Sequence, residues 1–351
     1  MTERNQVPHL KITVDENEVE KGAIQILETI RPTWEKASIR FRLLTDGMTN
    51  KLVGCKPEDA DDAETVLVRI YGNKTDLLIN RKDETRNILL LNSVGLAPAL
   101  YATFENGLAY RFIPGRTLDM ESVRDPNIYK LVATRMAKLH KVKVDGISTG
   151  KSFLWDKMQS FLHLVPDTFS DSEKNKRYQE TLIEKSKIAE EIMDLKRHLE
   201  NLDSPIVFAH NDLLLGNVIF TETDNSVTFI DYEYAISNYQ AYDIANHFAE
   251  FVGFSLDLDY SKYPEKDLQV EWLTTYLTEY NGNVPTEEDV DRLYVQVNKF
   301  VLASHILWGL WALIQAEHSY IDFDFMQYAN LRFREYFAKK DQHLSLKISS
   351  R

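Results

Sequence analysis

Four polar residues near the middle of the chain have types and spacings able to do chemistry on a charged substrate: His210, Asp212, Asn217 and Asp231. They lie in Ile-Val-Phe-Ala-His210-Asn211-Asp212-Leu-Leu-Leu-Gly-Asn217-Val-Ile-Phe, then Thr-Glu-Thr-Asp-Asn-Ser, then Val227-Thr-Phe-Ile-Asp231-Tyr232-Glu233-Tyr234. A carboxylate can orient or accept the proton of an attacking hydroxyl. An amide with a second carboxylate can hold a magnesium ion that bridges phosphates, and phosphoryl transfer asks for little more from a protein. Asp and Asn also favour turns and strand ends. Four such positions in register between buried runs are hard to obtain from turn chemistry alone.

The elements that must position them follow from the same stretch. Short runs rich in Val, Ile and Phe flank a turn-forming cluster, which predicts a small hairpin of buried strands with polar residues at its ends. His-x-Asp, an Asn five positions after the Asp, a strand and a second Asp together form the pattern of a kinase catalytic loop. Here Asp231 is followed by Tyr-Glu where protein kinases carry Phe-Gly. Downstream, residues 241–252 read as a helix with Asp243 and His247 at i and i+4 and Glu250 one turn further.

Upstream, residues 39–44, 50–54 and 65–71 read as strands of a twisted antiparallel sheet, and 99–104 with 107–113 as a further hairpin. Thr45 to Asn50 join the first two strands; with one glycine, Gly47, this segment reads equally well as an Asp-Gly turn. Arg69 alternates with apolar neighbours, and a helix is expected over about 80–94. Pro114-Gly115 breaks the strand pattern and is read as a hinge. Residues 128–140 form a helix in which His140 is taken as a helix-end residue. Residues 171–203 read as one long surface helix laced with ion pairs. Residues 293–316 form a helix with Trp308 and Trp311 on one side, followed by Tyr320, Phe323, Phe325 and Tyr328, aromatics that burial alone would assign to the core. The first 35 residues are read as an N-terminal extension, 36–114 as one lobe and 115–351 as a second.

A chain of 351 residues is long enough for two lobes with real cores. A formal charge of −13 argues against nucleic acid or an anionic membrane surface as a bulk partner and favours a cationic substrate. Cys55 is the only cysteine, so no intrachain disulfide is available. The N-terminus lacks the apolar core of a signal peptide, and the apolar stretch around Ile306 to Ile314 is too short to span a bilayer. A cytoplasmic protein without an integral membrane segment is expected; a homodimer is left open.

His-Asn-Asp-Leu-Leu-Leu-Gly-Asn, Phe-Ile-Asp-Tyr-Glu-Tyr and Asn238-Tyr-Gln-Ala-Tyr-Asp243-Ile-Ala-Asn-His247-Phe-Ala-Glu250-Phe together resemble the choline/ethanolamine kinase family, over roughly residues 38 to 340. The resemblance implies an α+β, two-lobed protein-kinase-like fold, with a sheet-based N-terminal lobe and a larger, mainly helical C-terminal lobe. It implies ATP and Mg2+ as cofactors and phosphorylation of the hydroxyl of a small amino alcohol. The implied acceptor is ethanolamine, on the route to phosphatidylethanolamine, with choline as the alternative. An inactive kinase-like binding protein and a sugar or aminoglycoside phosphotransferase are the remaining rivals.

The family reading makes Asp212 the base, and gives Asn217 and Asp231 to magnesium, with Glu233 helping at a second ion. It gives Gly47, Thr49, Asn50 and Arg69 to the nucleotide phosphates, Glu84 to an ion pair with Arg69, and backbone near Phe112 and Ile113 to adenine. Asp243 would brace the loop backbone. Tyr234, Trp308, Trp311, Phe323 and Tyr328 would form an aromatic wall for the ammonium group, faced by Glu250.

Overall fold

The computed structural model describes residues 7–44, 50–72, 79–143, 150–181, 183–319 and 321–348. In chain order it begins β1 (His9–Leu10), α1 (Val19–Ile30), β2 (Ile39–Leu44), β3 (Asn50–Pro57), β4 (Val66–Tyr71), α2 (Arg81–Ser93), β5 (Leu100–Phe104), β6 (Gly107–Arg111) and β7 (Arg116–Thr117). It continues α3 (Pro126–His140), α4 (Leu154–Leu164), α5 (Ser172–Thr181), α6 (Lys185–Leu199), β8 (Ile206–Ala209), β9 (Val218–Thr221), β10 (Ser226–Phe229) and β11 (Ile236–Tyr239). It closes with α7 (Gln240–Ala249), α8 (Lys266–Asn281), α9 (Glu287–His318) and α10 (Phe325–Leu344). The chain divides into two compact units: residues 1–116 with 219–234, and 117–218 with 235–351.

The first unit is built on a six-stranded sheet of order β1-β5-β6-β4-β3-β2. Its ladders are antiparallel except for β1 beside β5. Val66, Val68 and Ile70 alternate onto one face of β4 and pack with Val53, Cys55, Ala102 and Ala109. Ala23, Ile26 and Leu27 of α1 and the nearby Val14 join the same cluster. The segment read as an N-terminal extension is therefore part of this core. Burying each large apolar side chain there contributes about 1.5–3 kcal/mol. Asn106 clamps the segment, accepting from Val14 N–H and donating to Val14 C=O, both at 2.9 Å. Its partner lies 92 residues away in the chain, which local periodicity does not reveal.

Two glycines are needed for close approach. A Cβ on Gly107 would stand 2.1 Å from the Arg69 carbonyl oxygen. Gly115 has φ +149°, and a Cβ there would meet the Phe220 carbonyl oxygen at 2.5 Å.

The second unit is organised by α9, which packs against α4, α6, α7, α8 and α10. Thr286 starts it with a capping box: its hydroxyl accepts from Asp289 N–H, and the Asp289 carboxylate accepts from Thr286 N–H. The expectation that its apolar stretch is too short to span a bilayer is corrected. Among the described residues α9 is long and apolar enough to do so, yet 94% of that stretch is buried inside the protein. A helix apolar on every side is what a position surrounded by other helices requires.

Two further expectations change. The hairpin near the centre of the chain is β9 with β10 only; the run at 206–209 pairs antiparallel with β11, with Ile206 opposite Tyr239 and Ala209 opposite Ile236. The long helix over 171–203 is two helices, α5 and α6. Lys185 Nζ, at the start of α6, is held by the Val165 carbonyl at 2.7 Å and by Asp167 at 2.9 Å. That anchorage lies outside the local sequence.

Candidate active site

In the first unit, β4 and α2 gather two arginines and three carboxylates. Arg69, buried in mid-strand, pairs with Glu84 through Nη2 and donates from Nη1 to Asp231 Oδ1 at 2.9 Å. Arg81 Nη1 reaches Glu84 Oε2 at 3.0 Å and Glu233 Oε2 at 3.1 Å. Its guanidinium lies 3.8 Å from the centre of the Tyr71 ring. Asn80 caps α2 by accepting from Lys82 and Asp83 N–H, which sets Arg81 and Glu84 on the first turn. One oxygen from each of Glu84, Asp231 and Glu233 lies within 4.8 Å of the others. Burial first, and the Asp231 charge second, push the Glu233 carboxyl up to about 7 against the pull of both arginines. Asp231 itself has φ +62°, a left-handed conformation uncommon outside glycine.

In the second unit the loop after β8 is held by its backbone. Asn211, at φ +65°, is the residue type most tolerant of that conformation after glycine. Asp243 on α7 accepts from His210 N–H at 2.9 Å and from Asn211 N–H at 2.6 Å. The Asn211 side chain donates to the Ile236 carbonyl and accepts from Asn238 Nδ2. Asn246 Nδ2 donates to the Asn211 carbonyl at 3.2 Å, and His247 Nδ1 to the Leu213 carbonyl at 2.9 Å. Asp243, Asn246 and His247 are spaced i, i+3 and i+4, so a single face of α7 meets the loop.

Electrostatics complete this brace. The His140 ring bridges the Tyr276 hydroxyl at 2.6 Å and Asp243 Oδ2 at 2.8 Å. Burial raises the Asp243 carboxyl, but the His140 bond and charge outweigh it and hold the group below its ordinary value. Burial draws His247 down to about 4, so its ring is neutral at pH 7. Asp212 remains half-buried, and Asn217 Nδ2 donates to its carbonyl oxygen at 2.8 Å. The Asn217 amide is thereby oriented with its nitrogen spent on the loop.

The same unit carries an aromatic cluster. Phe254 stacks on Phe323 at 5.0 Å and meets Tyr328 at 4.7 Å; Phe323 continues to Phe325, Phe325 to Trp311, and Trp311 to Trp308. Trp308 Nε1 donates to Asn246 Oδ1 at 2.7 Å. Glu250 is buried and pairs with Arg332 at 3.2 Å. Burial raises the Glu250 carboxyl and Arg332 opposes the rise.

Set beside known proteins, residues 41–337 match the model of the choline/ethanolamine kinase family. The chain belongs to that family. An ethanolamine kinase of Drosophila melanogaster is 46% identical, the match covering 97% of this chain and 81% of the relative. An ethanolamine kinase structure from Plasmodium vivax superposes with a TM-score of 0.80 at 30% identity, over 92% of this chain and 89% of that one. A choline kinase structure from Cryptosporidium parvum gives 0.76 at 28% identity, over 93% and 97%. The two-lobed kinase-like architecture expected for the family is the one observed, with a mixed sheet in one part and mostly helices in the other.

For this family member the structure groups the expected residues in two sets. Arg69, Glu84, Asp231 and Glu233 meet in the first unit, and Asn50 stands opposite Tyr71 in the β3–β4 ladder beside them. Asp212, Asn217 and Asp243 meet in the second, as do Trp308, Trp311, Phe323 and Tyr328. Tyr234 ends the first unit's segment and is not among the rings just described. Gly47 and Thr49 lie outside the described residues. At the expected adenine strap, Phe112 N–H already donates to the Thr65 carbonyl at 3.1 Å, because the β4–β6 ladder runs one residue further. That donor is taken, which leaves Ile113 and the Phe112 carbonyl of the backbone groups expected there.

Sequence reasoning missed Arg81, His140, Asn246, Phe254 and Arg332. His140 as the last residue of α3 carried a helix-end signal that hid its role. Arg81 follows an N-cap Asn, ordinary for a helix start. Asn246 had the clearest signal, lying between Asp243 and His247 on one helical face.

Proposed function

We propose that the chain transfers the terminal phosphoryl group of magnesium-bound ATP to the hydroxyl of ethanolamine, giving phosphoethanolamine and ADP. The observation that carries the phosphoryl chemistry is the cluster of Arg69, Arg81, Glu84, Asp231 and Glu233. Three oxygen donors within 4.8 Å suit a hard cation, and the three carboxylates outnumber the two arginines paired with them. Support for the acceptor comes from the 46% identity to a protein named ethanolamine kinase.

In this reading Arg69 contacts phosphate, two of whose oxygens the guanidinium fork can meet at once. Asp231 and Glu233 offer carboxylate oxygens to magnesium, and Asn217 its amide oxygen. Bound there, the ion would neutralise charge building on the phosphates. Asp212 orients the acceptor hydroxyl and takes its proton, which calls for a loop that does not shift as charge moves; Asp243, Asn246 and His247 supply that rigidity. Trp308, Trp311, Phe323 and Tyr328, with Tyr234 and Glu250, hold the ammonium group, each ring face contributing about 0.5–2 kcal/mol. Gly47, Thr49 and Asn50 cover the phosphates, Glu84 holds Arg69, and backbone at Phe112 and Ile113 receives adenine.

Choline is the second reading, favoured by the aromatic cluster itself, since a quaternary ammonium relies on ring faces. Magnesium-dependent ADP release with each alcohol, and with both in competition, tests the proposal. The expected outcome is turnover with ethanolamine preferred; no turnover with either alcohol would overturn the reading.

A further inference from the structure

Arg332 lies on α10 with none of its surface exposed. A guanidinium so far from water must be paired and hydrogen-bonded. Its Nη1 donates to Glu250 Oε1 at 3.2 Å and to the Tyr328 hydroxyl at 3.4 Å, and its Nη2 to Ser304 Oγ at 2.9 Å. Ser304 Oγ in turn donates to Asn246 Oδ1 at 2.8 Å, the atom that also receives Trp308 Nε1. Asn246 Nδ2 then reaches the carbonyl of Asn211, the residue before Asp212. An unbroken path of hydrogen bonds thus joins Glu250 and Tyr328 to the backbone of the loop.

The path matters for what Glu250 can offer. Burial alone would drive this carboxyl toward its neutral form, and Arg332 is the charge that opposes it. An ionised carboxylate is acceptor-only, whereas a protonated one presents a competing O–H donor. A primary ammonium has three N–H donors that need acceptors; a quaternary ammonium has none.

We propose that Arg332 is a positioning residue that sets acceptor specificity: it fixes the Glu250 carboxylate as an acceptor and ties it, through Ser304 and Asn246, to the loop carrying Asp212. An acceptor-only Glu250 at the proposed ammonium subsite thereby favours a primary ammonium over a quaternary one. This rests on the proposed reading of the acceptor as an amino alcohol.

The test compares kcat/KM for ethanolamine and for choline in Arg332→Met, Arg332→Lys and Ser304→Ala. Losing a charge-assisted hydrogen-bond acceptor predicts that Arg332→Met lowers the ethanolamine-to-choline ratio about tenfold. Arg332→Lys keeps the charge without the fork and should restore part of the ratio. Ser304→Ala, which removes the bridge between Arg332 Nη2 and Asn246 but keeps the Arg332–Glu250 pair, should lower the ratio by a smaller factor. Should Arg332→Met fail to fold, the Lys and Ala variants decide. An equal loss for both alcohols in the folded variants is what a merely structural role produces, and it would overturn the inference. A wild-type protein that phosphorylates neither alcohol overturns the proposed function before the variants are compared.

Discussion

The arginine and carboxylate cluster of the first unit and the braced loop of the second are both buried and polar, but they are held in opposite ways. In the cluster Arg69 and Arg81 share three carboxylates, and each group is placed by the charge of its neighbours. In the loop, backbone N–H and C=O groups are held by one Asp, one Asn and one neutral His from a single helix face. A charge-held set can exchange partners when a cation or phosphate arrives. A backbone-held loop resists movement, which suits the residue expected to receive a proton.

The contrast can be broken from either side. Asp212→Asn should leave stability unchanged while lowering kcat by about a hundred to ten thousand fold, a barrier increase of roughly 3 to 5 kcal/mol. Steady-state turnover beside thermal unfolding checks this, and a folded variant with wild-type kcat would remove Asp212 from its role. Asp243→Ala should act on stability instead. It leaves two buried loop N–H groups and His140 without their acceptor, for a loss of about 3–5 kcal/mol by denaturant unfolding.

The third test uses pH. The His247 ring is held down at about 4 by burial, against an unfolded value of 6.5. Between those values the unfolded chain binds a proton that the native ring refuses, so stability falls as pH drops below 6.5. It should be flat in this respect above 6.5, and the loss by pH 4 is on the order of 3 kcal/mol. Urea midpoints measured from pH 7.5 to 4.5 should show the decline, and His247→Gln should flatten it.

The smallest effect is expected in the charge-held set. Glu233→Gln removes the negative charge of one of the three clustered carboxylates and should raise the magnesium-ATP concentration for half-maximal rate about tenfold. It should leave the unfolding midpoint nearly unchanged, because it also relieves repulsion between Glu233 and Asp231. A stability loss as large as that of Asp243→Ala would erase the distinction between the two regions.

Local pattern was enough to mark the strands from Ile39 to Tyr71, the helix bearing Glu84, the helix bearing Trp308 and Trp311, and the spacing of His210, Asp212, Asn217 and Asp231. Alternation and 3.6-residue periodicity are properties of short windows, and a loop motif is written in consecutive residues. The pairing of Arg69 with Glu84 and the bracing of the loop by Asp243 were also expected, from resemblance.

Tertiary structure alone decided which residues meet across long separations. It put 206–209 beside 236–239, drew α1 into the sheet's core, set His140 between Tyr276 and Asp243, and joined Arg332 to Glu250. The reason is physical: a buried charge or unpaired strand must find its partner wherever the packed chain presents one, and no window of neighbouring residues contains that choice.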